Sequence, residues 1–325
     1  MRLRLLAEPL RGASYGELVA AARAAEAAGF DAFFRSDHYL GTDPDHRQYR
    51  PTDAWTTLGG LAEDTTSIRL GTLVTASTFR LPGPLAMAVA SVDEMSGGRV
   101  ELGIGAAWYE AEHERYGIPF QPLKVRYERL AEQLEIVHGL WGGTQGEPYS
   151  FEGAHFRLQG ATTFPRLVQS PHPPVVLGGS GPRRTPLLAA RFADELNTGT
   201  RDGFVERVAA ARRHCEELGR DPASLGLSTT VPVCADDTAG GARRKADELG
   251  PGLDRLLQRG VVGTPADVAD RLEQLAGLGI DTVYVHCFDP SDLDQVGLLG
   301  EALVDQMATV GPAAPGRRGR SASAY

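Results

Sequence analysis

The sequence of 325 residues predicts a single (β/α)8 barrel. Eight short apolar segments alternate with segments of helical periodicity, which is the order of strands and helices in such a barrel. Small and polar residues follow the second to fifth strands, at the strand ends where barrels bind ligands. Because no internal repeat or linker divides the chain, we assign residues 1–311 to one domain and residues 312–325 to a disordered tail.

The predicted strands are short and mostly apolar, as is typical of strands that are buried on both faces. The fourth strand is the clearest, because Gly97-Gly98 opens it and Gly105 closes it. The eight strands are predicted over residues 2–6, 30–34, 68–75, 100–105, 175–177, 195–197, 225–234 and 281–286.

The predicted helices carry local start and stop signals. Gly29 ends the first helix, Pro82 opens the third, and Thr264 followed by Pro265 starts a helix late in the chain. Further helices are predicted over residues 55–63, 123–141, 182–192, 204–218 and 293–307. Two segments interrupt the alternation: a β-hairpin over residues 148–158 and an extra helical segment over residues 239–257.

Composition excludes several classes of protein. The net charge of −9 argues against a nucleic-acid partner, which would require a basic face. Cys215, Cys234 and Cys287 have no C-x-x-C spacing, so we expect reduced, structural cysteines and no metal site. The N-terminus lacks the apolar core of a signal peptide and no apolar run reaches membrane-spanning length, so we expect a cytoplasmic protein without a membrane partner.

The candidate site combines clusters that follow four strands. Asp37 and His38 follow the second strand, residues 75–78 the third, and residues 106–113 the fourth. Gly178, Gly179, Ser180 and Gly181 follow the fifth strand and precede a helix, so their backbone N–H groups and the helix dipole favour an anion. This loop lacks the Gly-Lys-Ser/Thr of a nucleoside-triphosphate site and is not a G-x-G-x-x-G turn, so a phosphate of a flavin-like cofactor fits it best.

These stretches together resemble the luciferase-like monooxygenase superfamily, and most closely its branch of coenzyme F420-dependent oxidoreductases. The resemblance is carried by Ser36-Asp37-His38, by residues 71–80, by GGRVELGIGAAWYEAEHERYGIPF from Gly97, by HPPVVLGGSGPRRT from His172 and by ARFADELN from Ala190. They occur in the family order and span most of the chain.

The resemblance implies a bacterial luciferase-like barrel that holds a flavin or deazaflavin at its carboxyl end. It places Asp37 and His38 near the ring as catalytic residues, with His38 as hydrogen-bond partner or proton relay. It places the cofactor phosphate on residues 178–181, and a non-proline cis peptide near Leu73-Val74 behind the ring. The cofactor-binding residues implied are Asp37, His38, Leu73, Val74, Thr75, Gly105, Ala106, Ala107, Trp108, Gly178, Gly179, Ser180 and Gly181.

One position departs from the family pattern. In the sugar-phosphate dehydrogenase branch a glutamate acts beside the ring, and Trp108 takes its place here, so that substrate is not carried over. We expect Trp108 to line or close the pocket. Glu112 and Arg126 are expected to form a structural ion pair.

The favoured function is F420-dependent hydride transfer to or from a small organic substrate by a homodimer. An FMNH2-dependent two-component monooxygenase, supplied by a separate cofactor-reducing enzyme, is the alternative. A non-catalytic flavin-binding barrel stays open. A metal-dependent barrel hydrolase, suggested by Asp37, His38, Asp43, Asp45 and His46, ranks lower because the first strand has no His-x-His and the barrel no suitable lysine.

Overall fold

The computed structural model describes residues 1–8, 12–41, 51–143, 147–162, 167–249 and 257–310. The strands are β1 (Arg2–Ala7), β2 (Ala32–Arg35), β3 (Arg69–Thr72), β4 (Thr75–Ala76), β5 (Val100–Gly105), β6 (Tyr149–Glu152), β7 (Arg157–Ala161), β8 (Val175–Gly178), β9 (Glu195–Asn197), β10 (Gly226–Ala235), β11 (Val261–Gly263) and β12 (Thr282–Cys287).

The helices are α1 (Tyr15–Ala27), α2 (Ala54–Asp64), α3 (Pro82–Met95), α4 (Glu110–Tyr116), α5 (Leu123–Gly142), α6 (Arg184–Phe192), α7 (Phe204–Glu217), α8 (Ala239–Leu249), α9 (Pro265–Gly277) and α10 (Leu293–Ala308), with a short 3-10 helix at Pro222–Ser224. The predicted tail and residues 250–256 of the predicted extra helical segment lie outside the described residues.

The strands close into a parallel barrel, which confirms the predicted (β/α)8 fold. Around the barrel the order is β1, β2, β3 with β4, β5, β8, β9, β10 and β12, and β12 pairs with β1 again. The hairpin of β6 and β7 is antiparallel and stands outside the barrel, as predicted. The carboxyl ends of the barrel strands therefore share one end, and the side chains that follow them meet there.

The core has an outer and an inner part, because strand side chains alternate between the two faces. Leu3, Leu5 and Ala7 of β1 belong to the large cluster that packs against the helices. Leu6 instead belongs to a small cluster inside the barrel, with Ala32, Phe34, Val176 and Tyr284. The side chains of residues 4 and 6 on β1 therefore face the barrel interior, and residue 8 is the next residue on that face.

Inside the barrel, towards the amino ends of the strands, lies a buried ionic cluster. Arg4 donates to Glu101 (2.8 and 3.1 Å), to Tyr284 Oη (2.9 Å) and to Asp31 (2.8 Å). Glu195 lies 3.5 Å from Arg4 and accepts from Tyr284 Oη at 2.8 Å. The cluster joins β1, β5, β9 and β12 with charge-assisted bonds, which are about twice as strong as neutral ones.

Several element boundaries differ from the prediction. The third strand is two pieces, β3 and β4, separated by Leu73 and Val74. Helix α4 and strand β11 were not predicted, because the residues of α4 show no clear apolar face and β11 has only three residues. Helix α6 begins at Arg184 rather than at Pro182.

The predicted start signals of two helices are confirmed. Thr264 caps α9 and forms a capping box with Asp267, and Pro82 occupies the first turn of α3. The three cysteines are buried and free, as expected.

Candidate active site at the barrel mouth

We call the carboxyl end of the barrel its mouth, formed by Glu8, residues 36–41, residues 73–80, residues 105–113, residues 178–181 and His286. The structure brings all the sequence-predicted site residues to this end, because each of them follows or ends a parallel barrel strand. No helix in the described part of the chain is long and apolar enough to cross a membrane. Within the same residues there is no group of three or more metal-ligating side chains, and Asp43, Asp45 and His46 lie outside them.

Asp37 is enclosed by basic and hydroxyl groups. Its carboxylate accepts from Arg80 Nη1 at 2.5 Å and from Thr75 Oγ1 at 2.9 Å, and its side chain has no exposed area. Arg80 also binds Asp53, the residue that caps α2. Burial lowers the pKa of Arg80, but the adjacent carboxylates outweigh that effect and hold the pKa above its usual range. Asp37 is thus an anchor that joins the loops after β2 and β4.

His38 is held by Glu112. Its Nδ1 lies 3.2 Å from both carboxylate oxygens, and Glu112 also accepts from the backbone N–H of Tyr39 at 3.0 Å. Because a carboxylate only accepts, Nδ1 carries the proton and Nε2 is the acceptor in the neutral ring. Burial lowers the pKa of His38, but the bond to Glu112 and the charges of Glu8 and Asp37 outweigh it and raise the pKa.

The expected ion pair between Glu112 and Arg126 is therefore wrong. Glu112 points from the first turn of α4 towards the loop after β2, where it meets His38. Arg126 instead donates from Nη1 to the carbonyl oxygens of Ala107 (2.6 Å) and Ala106 (3.3 Å).

A second acid and base meet at the mouth on neighbouring strands. Glu8 follows β1 and lies 2.9 Å from His286 Nε2 on β12. Burial raises the pKa of Glu8, but the close contact with His286 and the charges of His286 and His38 outweigh that effect and hold the pKa below its usual value. Neither residue was predicted from the sequence. Strand alternation could have found them, since Arg4, Leu6 and Glu8 share one face of β1, and Tyr284 and His286 share one face of β12.

Residues 106–108 form one wall of the mouth. Ala107 adopts a left-handed backbone conformation (φ 64°), which for a residue other than glycine costs about 1 to 2 kcal/mol. Trp108 is 65% exposed, its ring stacks on Tyr109 at 5.1 Å between centroids, and it meets the His38 ring edge-on at 5.8 Å. Trp108 therefore lies at the rim of the mouth beside His38.

The neighbouring part of the mouth is built around Val74, because β4 pairs with β5. The Leu73-Val74 peptide bond is cis, at the position that the family resemblance implies. A Cβ on Gly178 would lie 2.8 Å from Val74 Cγ1, and one on Gly105 would lie 3.0 Å from Val74 Cγ2. These two glycines thus leave room for the Val74 side chain.

The loop of residues 178–181 has its own packing requirements. Gly179 has a left-handed φ of 156°, and a Cβ on Gly181 would lie 2.5 Å from Tyr127 Oη. Tyr127 Oη and Thr185 Oγ1 are hydrogen-bonded at 2.9 Å beneath the loop. The bare backbone at Gly179 and Gly181 is therefore required by the packing of the loop against Thr185 and Tyr127.

His113 and Glu110, which share α4 with Glu112, have different surroundings. His113 is fully buried, with Nε2 2.6 Å from Thr78 Oγ1 and Nδ1 2.7 Å from the Tyr109 carbonyl oxygen, so it fixes the loop from inside. Glu110 is exposed.

The fold and this mouth define a (β/α)8 barrel with acid and base pairs at the ligand-binding ends of its strands. The luciferase-like monooxygenase family model matches residues 3–282, and the chain belongs to this family.

Individual relatives are similar over part of their length. The chain is 37% identical over 235 residues to an F420-dependent glucose-6-phosphate dehydrogenase of Nakamurella multipartita, a match that covers 72% of this chain and 60% of the relative. It is 35% identical over 237 residues to an F420-dependent hydroxymycolic acid dehydrogenase of Mycobacterium tuberculosis, covering 71% and 62% of the two chains. The chain thus spans about three fifths of these two relatives.

A similar solved structure is monooxygenase RslO1 from Streptomyces bottropensis, with a TM-score of 0.80 at 21% identity. That match covers 94% of this chain and 99% of that one, and it shows the likeness of the fold.

Proposed function

We propose that the protein is an oxidoreductase that uses coenzyme F420 to transfer a hydride to or from a small organic substrate at the barrel mouth. The observation that carries the proposal is the pair of half-buried His38 and buried Glu112 beside Trp108. It supplies a nitrogen base of fixed tautomer, which is what the proton half of a hydride transfer requires. The names of the two F420-dependent relatives support the choice of cofactor.

The residues at the mouth fit such a cofactor. Ser36 Oγ and Ser77 Oγ are buried and, among the described residues, have no hydrogen-bond partner. A ligand rich in carbonyl and hydroxyl oxygens would satisfy groups of this kind, which are costly to leave unpaired. The loop of residues 178–181 and the start of α6 offer N–H groups to a phosphate.

The cofactor, when bound, supplies the hydride chemistry. In this proposal the residues that would hold it include Leu73, Val74 and Thr75 and residues 105–108, which lie at the ends of the neighbouring strands β3, β4 and β5. Asp37 fixes Thr75 and the loop after β4 through Arg80.

His38 takes a proton from a substrate hydroxyl, or returns it, at Nε2, while Glu112 stabilises the imidazolium through Nδ1. The substrate in this proposal is a small organic molecule. The homodimer, the cytoplasmic location and a separate reducing enzyme for FMN stay predictions.

The cofactor is tested by titrating purified protein with F420 and, separately, with FMN, followed by fluorescence quenching or calorimetry. We expect F420 to bind more tightly than FMN. Tighter binding of FMN would contradict the proposal that F420 is the cofactor.

Turnover is tested by following F420 reduction with a panel of alcohols that includes glucose 6-phosphate. Replacing a general base costs about 10²- to 10⁴-fold, so His38→Ala should lose most turnover even at F420 concentrations that saturate the variant. If F420 binds but no donor reduces it and F420H2 is not reoxidised by carbonyl compounds, the barrel is a non-catalytic binder.

A further inference from the structure

We propose that Arg126 is a positioning residue: it holds residues 106–108, one wall of the mouth, in the conformation that binds the cofactor. The inference deepens the proposed function and rests on it for the identity of the ligand. Three observations support it: the positive φ of Ala107, the hydrogen bonds that Arg126 donates to residues 106 and 107, and the position of Trp108 beside His38.

Ala107 needs an external support. Among the described residues other than glycine, it alone has a positive φ, and an alanine in this region is disfavoured by contact of its Cβ with the backbone. The wall directly follows β5, so the conformation of Ala107 sets the direction in which the chain leaves the barrel.

Arg126 provides that support from the first turn of α5. Its Nη1 donates to the carbonyl oxygens of Ala107 at 2.6 Å and Ala106 at 3.3 Å, which fixes the two peptide groups on either side of the Ala107 Cα. Its guanidinium lies over the Phe120 ring, 3.9 Å from the centroid, and the residue is only 7% exposed. The group is thus locked by packing, and its bonds to the carbonyls are charge-assisted.

The wall places Trp108 next to His38. Since Trp108 directly follows Ala107, a change of the Ala107 φ from left-handed to right-handed would redirect the Trp108 side chain and break its edge contact with His38. Without Arg126, the intrinsic preference of alanine would favour that change about tenfold or more. Arg126 would therefore act on the site through the backbone and without touching the reacting atoms.

The test is a double-mutant cycle of Arg126→Gln and Ala107→Gly, because glycine adopts positive φ about as readily as negative φ. We expect Arg126→Gln to raise the dissociation constant for F420 about tenfold, Ala107→Gly alone to change it less than about threefold, and the double variant to recover much of the loss. Arg126→Lys, which keeps a donor but not the planar fork, should be intermediate. Arg129→Gln is the matched control, because Arg129 lies on the same helix over a ring, that of Phe156 of the hairpin region.

A second measurement needs no cofactor. Trp55 and Trp141 are 4% and 6% exposed and Trp108 is 65% exposed, so acrylamide quenching of the protein's tryptophan emission reports mainly on Trp108. We expect the quenching constant to rise in Arg126→Gln and to return towards the wild-type value in the double variant. If Arg126→Gln does not fold, Arg126→Lys with and without Ala107→Gly replaces it, with the same direction expected.

The inference is overturned if the double variant is as impaired as Arg126→Gln in both measurements, because Arg126 would then act by general packing. It is also overturned if Arg126→Gln leaves both measurements unchanged. Failure of the wild-type protein to bind F420 would instead contradict the proposed function, and the quenching cycle would still decide the role of Arg126.

Discussion

Replacing Arg4 by methionine should destabilise the barrel strongly, and more at pH 8 than at pH 5. The side chain is 1% exposed and is the shared cation of Glu101, at 2.8 Å, and Glu195, at 3.5 Å. Removing one partner of a buried ion pair costs about 3 to 5 kcal/mol, because the remaining charge stays buried without compensation. For a chain of this size that corresponds to a fall in melting temperature of roughly 4 to 7 °C.

The pH dependence follows from the two carboxylates. Burial raises the pKa of Glu101, but Arg4 and Arg69 outweigh it and hold the pKa below its usual value, so its stabilisation is present above that value and lost as pH falls. Burial holds the pKa of Glu195 above its usual value, so ionised Glu195 opposes folding as pH rises. Without Arg4 both pKa values move upward, and the free-energy deficit of the variant grows between pH 5 and pH 8.

The measurement is thermal unfolding of both proteins at pH 5 and pH 8. Arg23→Met is the control, because Arg23 pairs with Asp64 at 3.0 Å but is 58% exposed, and exposed pairs contribute at most about 1 kcal/mol. A fall of less than about 3 °C for Arg4→Met at pH 8, or an equal fall at both pH values, would refute this account of the cluster.

Two further substitutions test the mouth. Glu112→Gln removes the carboxylate that stabilises protonated His38, so we expect the pKa of His38 to fall and the pH profile of turnover to move to lower pH. Turnover should also drop about thirtyfold, because a hydrogen bond to a charged group contributes about 2 kcal/mol. An unmoved profile would contradict the pairing, and Glu110→Gln on the exposed side of the same helix is the control. Gly179→Asp should weaken cofactor binding about tenfold more than Gly179→Ala, because both variants carry a Cβ but only the aspartate repels a phosphate. Equal affinities in calorimetry would mean that the phosphate binds elsewhere.

Much of the fold could be predicted because its signals are local. Thr264 followed by Pro265 starts a helix and Gly29 ends one, and each signal acts within a single helical turn. The alternation of strand and helix segments then predicts the barrel. The break between β3 and β4 could not be read from periodicity, because residues 68–75 are a continuous, mostly apolar and small run. Only the pairing of β3 and β4 with different parts of β5 shows that the strand is divided.

The site was predicted less completely, and for a related reason. His38 and Asp37 stand in a dense polar cluster that the sequence displays, whereas their partners are far away along the chain. Glu112 is 74 residues from His38, and Arg80 is 43 residues from Asp37. The expected partner of Glu112 was Arg126, which is nearer along the chain, and only the fold shows that α4 turns Glu112 towards the loop after β2 instead.

These long-range pairs bear on how the mouth can hold an anionic cofactor. Three acids there each face a base, Asp37 with Arg80, Glu112 with His38, and Glu8 with His286, whereas Glu110 is exposed. A carboxylate that is already neutralised repels an approaching phosphate far less than a bare one does. The mouth can therefore bind an anion through backbone N–H groups and the start of α6, without a dedicated lysine. By the same reasoning the bases are not available to the cofactor phosphate, so any substitution that removes one of them would weaken binding through the acid it leaves behind.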